Sequence, residues 1–234
     1  FLKVSFYLLI IWFGEMRNKK FFFIVFEGIE GSGKSYQSKK LYKNLKKKKI
    51  NTILTREPGG TFGAEKIRNI ILKDYFNKKS KEQFDKYTDT LLYMAARNEH
   101  VKNKLKPAAL KKQVVICDRF TDSTIAYQVY GKGVDKSLID NVHKKILNNI
   151  RPNLTFLLKV NIKKALRRLN KRKTKNRYDK FSKNFYNKVQ KSFIKIANRN
   201  KKKYHVYDNS EDNKNLENII LKIVLKKLKN KNEK

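Results

Sequence analysis

The sequence predicts an α/β domain in which a five-stranded parallel sheet is covered by helices on both faces. Three observations predict it. Five short apolar runs have the length of buried strands. Longer stretches of helical periodicity separate them, so that strand and helix alternate as in βαβ units. The first run also leads through a glycine-rich loop directly into a helix.

In order along the chain, the strands are Phe21–Phe26, Thr52–Thr55, Val114–Cys117, Leu154–Val160 and Tyr204–Tyr207. Helices are expected over Lys34–Lys47, Ala64–Lys73, Lys81–Leu105, Lys136–Asn149 and Phe185–Ala197. A last amphipathic helix covers Leu216–Leu228, where Ile219, Ile220, Ile223, Val224 and Leu228 fall near helical spacing. No internal repeat and no linker rich in Gly, Pro or Ser divides the chain, so residues 16–234 read as one domain. Asn170–Ser182 is polar and basic and has little to bury; this stretch is expected to be a mobile lid.

The N-terminus stands apart. Val4–Phe13 is apolar, but about ten residues are too few to span a bilayer as a helix. The run resembles the hydrophobic part of a signal peptide, without a small-x-small cleavage site after it. Met16, followed by Arg17, Asn18, Lys19 and Lys20, reads as an ordinary cytosolic start. Residues 1–15 are therefore read as an upstream translation artefact, with a hydrophobic targeting segment as the alternative.

A net charge of +38 first suggests nucleic-acid binding, because clustered cations release counterions from phosphate backbones. Here lysine far outnumbers arginine, the lysines are spread along the chain, and Gly and Pro are few. That pattern matches AT-rich coding, so the charge predicts nonspecific attraction of polyanions at low salt and no specific nucleic-acid or membrane partner. With 40% hydrophobic residues the chain has enough apolar side chains for a core, which argues against disorder. The single cysteine, Cys117, cannot form an intrachain disulfide and points to a reducing cytoplasm. It ends an apolar run, as a buried small hydrophobe does.

The chemistry is concentrated in four blocks. Gly28-Ile-Glu-Gly-Ser-Gly-Lys-Ser35 follows the first strand and opens a helix, which is the context of a P-loop. Gly28, Ile29, Glu30, Gly31, Ser32 and Gly33 would cradle the ATP phosphates with backbone N–H groups. Lys34 would reach the β- and γ-phosphates, and Ser35 would ligate Mg²⁺. This refines the fold class to a three-layer P-loop NTPase fold with a short basic lid. The loop carries Glu30 and no arginine, so neutralisation of transition-state charge is expected from the lid: Arg168, Arg172 and Arg177 are the candidates, with a solvated basic loop as the alternative.

The third strand ends in Asp118 and Arg119, at the sheet edge where such folds bind ligands. Asp118 would hold Mg²⁺ through water and Arg119 would clamp an acceptor phosphate; a structural salt bridge is the alternative. Thr55-Arg-Glu-Pro-Gly-Gly-Thr61 lies on the same edge. Tyr93 and Arg97, four apart on one helix face, offer an aromatic surface and a donor, which is what a pyrimidine needs; taken alone, Tyr93 reads as a core residue.

Taken together these blocks resemble the bacterial-type thymidylate kinases. The pieces that carry the resemblance are Phe26-Glu-Gly-Ile-Glu-Gly-Ser-Gly-Lys-Ser35, Thr55-Arg-Glu-Pro-Gly-Gly-Thr61, Ala96-Arg97 and Asp118-Arg-Phe-Thr-Asp-Ser-Thr-Ile-Ala-Tyr-Gln128. In the lid the match is Asn176-Arg-Tyr-Asp179, followed by Phe185. The resemblance implies transfer of phosphate from MgATP to dTMP, and a homodimer. It puts Glu30 and Asp179 near the deoxyribose and phosphates, Tyr93 on the thymine face and Arg97 at a thymine carbonyl. It also puts Ser123, Tyr127 and Gln128 around the base, Arg119 on the acceptor phosphate, and Pro58 and Arg68 in the same pocket. A cis Glu57–Pro58 peptide is implied as well. Phe120 departs from the family, which usually carries Tyr or His there, so one hydrogen bond is expected to be missing. The lid is unusually rich in lysine, and the N-terminal extension has no counterpart. The alternatives are a related kinase for another nucleotide or nucleoside, and a nucleic-acid-stimulated ATPase. A GTPase is disfavoured by the absence of an Asn-Lys-x-Asp motif.

Overall fold

β1 (Phe22–Glu27) is buried at every position, as the central strand of a covered parallel sheet must be. The structure, a computed structural model, describes residues 20–72, 83–147, 149–172, 177–211 and 215–232. β1 pairs on one side with β3 (Val114–Asp118) and on the other with β4 (Leu154–Lys159); β2 (Thr52–Arg56) and β5 (Tyr204–Asp208) form the edges. All pairings are parallel, in the order β2-β3-β1-β4-β5. The five expected strands are all present, each within a residue of its expected bounds.

Side chains alternate across a strand, so β1 feeds two cores. Phe22, Ile24 and Phe26 pack with Leu41 and Leu45 of α1 (Lys34–Lys47) and with Ile220 and Val224 of α9 (Leu216–Asn232). Phe23 and Val25 point to the other face, onto Val101, Leu105 and Phe120. There α8 (Lys183–Asn198) extends the cover through Val189 and Phe193, against Leu157 of β4. Three layers result.

The helices depart from expectation in instructive ways. α2 (Phe62–Leu72) and α6 (Lys136–Ile146) fall where expected, although α6 stops at Ile146 rather than Asn149. The expected helix over Lys81–Leu105 is not uniform. Lys81 lies outside the described residues; α3 (Lys86–His100) is capped by Asp85, whose carboxylate accepts from the Tyr87 and Thr88 N–H groups. After His100 the chain widens into a π turn over Val101–Leu105 and re-enters α-helix in α4 (Lys106–Leu110). α5 (Thr121–Thr124), continued by a π turn over Ile125–Gly131, and α7 (Ile162–Asn170) complete the set among the described residues.

Within the expected lid, residues 173–176, Asn176 among them, lie outside the described residues, as does the N-terminal segment 1–19. The rest corrects the reading that this stretch has little to bury. Tyr178, in a 3-10 turn over Arg177–Lys180, is 4% exposed, and Phe181 stacks on Phe185 with ring centroids 4.1 Å apart. Aromatics interleaved among the basic residues give this segment a core of its own. Among the described residues no helix is long and apolar enough to cross a membrane.

The sheet register brings the motif blocks to one place. Asp118 is level with Phe26 on one side and Arg56 on the other, so the carboxyl ends of β1, β2 and β3 open onto one edge. The order also turns at β1, where one half of the sheet leaves through β3 and the other through β4; open α/β sheets bind ligands at such a point.

Candidate active site

The glycine-rich loop bends tightly between β1 and α1. Gly33 has φ +90°, and a Cβ there would lie 2.4 Å from Asn209 Nδ2. Gly28 has φ +138°, and its Cβ would meet the Leu158 carbonyl oxygen at 2.3 Å. Neither position admits a side chain without displacing the loop. No side chain caps α1, so its positive end faces the loop. Lys34 folds back over the loop, its Nζ donating to the Ile29 carbonyl at 2.6 Å. Burial, with the Arg119 charge beside it, lowers Lys34 to about 8. The Ser35 hydroxyl donates to Asp118 Oδ2, which joins the two residues expected at the metal. Arg168 braces the loop: its NH1 reaches the Gly31 and Asn209 carbonyls, both at 3.0 Å.

Arg119 sits across the cleft from Lys34 in a left-handed backbone conformation, φ +73°, uncommon for a residue with a side chain. Its guanidinium donates to the Gly28 carbonyl at 2.8 Å, Ser123 Oγ at 3.0 Å and Glu30 Oε1 at 2.8 Å. The second Glu30 oxygen accepts the Tyr127 hydroxyl. Burial works against the Arg119 charge, but Tyr127, Glu30, Asp118 and Glu27 outweigh it and hold Arg119 above the ordinary guanidinium value. Behind it lies Glu27, which accepts from the Phe120 N–H at 2.8 Å and the Ser123 hydroxyl at 2.6 Å. Burial, then the Asp122 carboxylate, raises Glu27 to about 8.

A second buried cluster orders the far wall. Glu57 Oε2 accepts from Arg97 Nε at 2.7 Å, and Glu57 Oε1 lies 2.8 Å from His100 Nδ1. Burial alone would raise this carboxyl; the Arg97 charge and the His100 hydrogen bond pull it below the usual carboxylate range. The next peptide, Glu57–Pro58, is cis, as the resemblance implies. Pro58 offers its carbonyl to Arg68 NH1 at 2.7 Å. Phe120 packs edge-on to Phe23, centroids 4.9 Å apart, and its own carbonyl accepts from Arg97 at 3.0 Å. The phenylalanine thus fills an apolar slot, with Arg97 over its ring.

One cleft joins these parts. It is an open cleft with about 950 Å³ of empty space, open solvent included. Glu30, Lys34, Ser35, Pro58, Arg68, Tyr93, Arg97, Asp118, Arg119, Ser123, Tyr127, Gln128 and Arg172 all line it. Tyr93 and Tyr178 meet edge to face across its inner end, with centroids 6.1 Å apart. Gln128 Nε2 is buried there and, among the described residues, has no hydrogen-bond partner.

The lid arginines divide. Arg172 lines the cleft and lies 3.4 Å from Asp179 Oδ1, whereas Arg168 braces the loop. Arg177 is ion-paired instead with Asp89 of α3. Asp89 is absent from the motif blocks of the sequence. It is fully buried, and it also takes Lys132 Nζ at 2.5 Å and the Tyr178 hydroxyl at 2.9 Å, so it ties the 3-10 turn to α3. Nothing local marks it, since it stands in an ordinary helical stretch; only the buried charge identifies it. Thr124, which lies inside the Asp118–Gln128 block but is given no role there, accepts from Arg97 NH1 at 2.8 Å.

A model of the thymidylate kinase family matches residues 26–220. The chain belongs to the thymidylate kinase family. The thymidylate kinase of Wolbachia sp. subsp. Brugia malayi (strain TRS) is 52% identical to it over 124 residues, 52% of this chain and 57% of that relative. The thymidylate kinase of Ehrlichia ruminantium (strain Gardel) is 47% identical over 123 residues, again 52% of this chain and 57% of the relative. The match thus spans little more than half the length of these curated relatives. The crystal structure of thymidylate kinase from Ehrlichia chaffeensis superposes with a TM-score of 0.68 at 34% identity, over 88% of this chain and 99% of that one. The five-stranded parallel sheet flanked by helices is the fold shared with that thymidylate kinase.

Proposed function

We propose that the chain transfers the γ-phosphoryl group of ATP to dTMP, giving ADP and dTDP. The observation that carries this reading is the continuity of one cleft, from the phosphate-binding loop at Lys34 and Ser35, past Arg119, to Tyr93 and Gln128. ATP phosphates would lie along the loop, and the acceptor phosphate would lie against Arg119. The base would slide along Tyr93, where Gln128 Nε2, without a partner among the described residues, gives a pyrimidine oxygen a donor.

The donor set suits Mg²⁺. Ser35 and Asp118 present a hydroxyl and a carboxylate side by side, and Mg²⁺ is bound by a few such oxygens with phosphate and water completing the shell. Bound there, the ion would neutralise charge on the phosphate oxygens. The acceptor phosphate is already ionised, so the protein has no strong base to supply. Its residues do the positioning: Lys34 and Arg119 would draw the two phosphates into line, and Arg172 would add charge from the lid side. Glu30, held by Arg119 and Tyr127, would face the sugar and favour an acceptor without a 2′-hydroxyl.

In a coupled ADP-release assay with MgATP, dTMP is expected to be the best acceptor, dCMP poor and thymidine inactive. Preferred turnover of dCMP or of a purine monophosphate would overturn the assignment of the base pocket.

We infer a homodimer as well. Tyr87 and Leu91, one turn apart on α3, are 44% and 51% exposed, and Phe62 on the adjoining α2 is 83% exposed. Such an apolar face is suited to a second copy. Sedimentation should give about twice the 27.8 kDa chain mass; a Leu91→Glu variant sedimenting like the wild type would exclude this face. The lone buried Cys117 suits a reducing compartment, and the cytoplasm is the proposed site of action.

A further inference from the structure

The Arg97 guanidinium has five N–H donors in a rigid fork, and four of them are committed inside the protein. Nε donates to Glu57, one NH2 hydrogen goes to the Phe120 carbonyl, and NH1 divides between Thr124 and His143 Nε2, the last at 2.7 Å. Among the described residues no group takes the remaining NH2 hydrogen, and Arg97 lines the cleft. Three of these partners come from the motif blocks or stand beside them. His143 comes from α6, an element to which the sequence assigns no part in the site.

We propose that His143 is a positioning residue for the acceptor base: its unprotonated Nε2 takes one Arg97 N–H and fixes the fork so that a single donor meets the base. The proposal rests on the reading of this cleft as the dTMP site. The chemistry is constrained because arginine only donates; a hydrogen bond from NH1 therefore requires a lone pair on Nε2 and puts the ring proton on Nδ1. The surroundings favour the neutral ring. Facing His143 are Arg97 of α3, Arg151 before β4 and Lys136 of its own helix, against one carboxylate, Glu57. Burial first, then the Arg97 charge, lowers His143 to about 3. A fork held in this way offers one hydrogen to one acceptor. It therefore suits a base with a carbonyl at that point and disfavours one with an amino group.

The consequence can be separated from mere stability. His143→Leu removes the acceptor, leaves that Arg97 N–H buried without its partner and loosens the hold on the whole fork. KM for dTMP should rise about tenfold, the preference for dTMP over dCMP should shrink, and KM for ATP should be unchanged. His143→Gln, whose amide oxygen can accept in place of Nε2, should recover most of the loss. An unchanged dTMP KM in His143→Leu would overturn the proposal.

A second measurement reads the wild-type protein directly and does not depend on the assigned substrate. The chain has three histidines, so ¹⁵N–¹H ring correlations of the wild type can be assigned from single substitutions. His143 should remain neutral with its proton on Nδ1 between about pH 5 and pH 8. A protonated ring, or a neutral ring with its proton on Nε2, would refute the positioning role even if dTMP is the substrate. If dTMP is not phosphorylated but the Nδ1–H form is found, the substrate reading fails and the Arg97–His143 geometry stands.

Discussion

Arg119→Ala is expected to lower kcat/KM for dTMP by about a hundred- to a thousandfold, the range seen when one preorganised donor to reacting charge is removed. Arg119 reaches Glu30, Ser123 and the Gly28 carbonyl at once, which fixes the guanidinium between the loop and the acceptor side. Its loss would remove the phosphate clamp and also release Glu30, whose charge would then repel an incoming phosphate. Arg119→Lys should recover little, because one ammonium cannot replace a fork spread over three partners. Steady-state kinetics with circular dichroism as the folding control would check this. Near-wild-type turnover in a folded Arg119→Ala protein would show that the acceptor phosphate binds elsewhere.

Glu57→Gln is expected to be the most destabilising single change among the site residues. It leaves Arg97 buried without its countercharge and weakens the His100 contact. Breaking one side of a buried ion pair removes about 3–5 kcal/mol. At roughly 2–4 °C per kcal/mol for a domain of this size, Tm should fall on the order of 10 °C. The pH dependence carries a sign. Glu57 titrates lower in the folded chain than its ordinary value of 4.5, so its contribution is complete above that value. It is lost as pH falls through the depressed value. Wild type and Glu57→Gln should therefore differ most near neutrality and converge in acid. A difference that grows on acidification would contradict the ion-pair account.

The sheet and the phosphate-binding side are legible in the sequence because their signals are local. Phe21–Phe26 followed by a glycine-rich octamer specifies strand, turn and helix within a short span, and β1 in the structure is displaced by one residue. Features that escape the sequence depend on partners far along the chain. Asp89 gains its meaning from Lys132, Arg177 and Tyr178, and nothing in its own helix announces a buried carboxylate. Tyr178 reads as part of a solvated lid because lysines surround it, yet its ring is enclosed by Tyr93, Tyr127 and Phe181. His143 looks like one polar residue on the last turn of a helix. The π turns over Val101–Leu105 and Ile125–Gly131 leave no mark, since a single wider turn barely changes helical periodicity.

The most direct test of phosphoryl transfer is a single-turnover reaction of the protein with γ-³²P-ATP, Mg²⁺ and dTMP, with the products separated by chromatography. The label should leave ATP and appear in dTDP, with little inorganic phosphate formed. Label released as inorganic phosphate at the same rate with or without dTMP would contradict phosphoryl transfer to this acceptor.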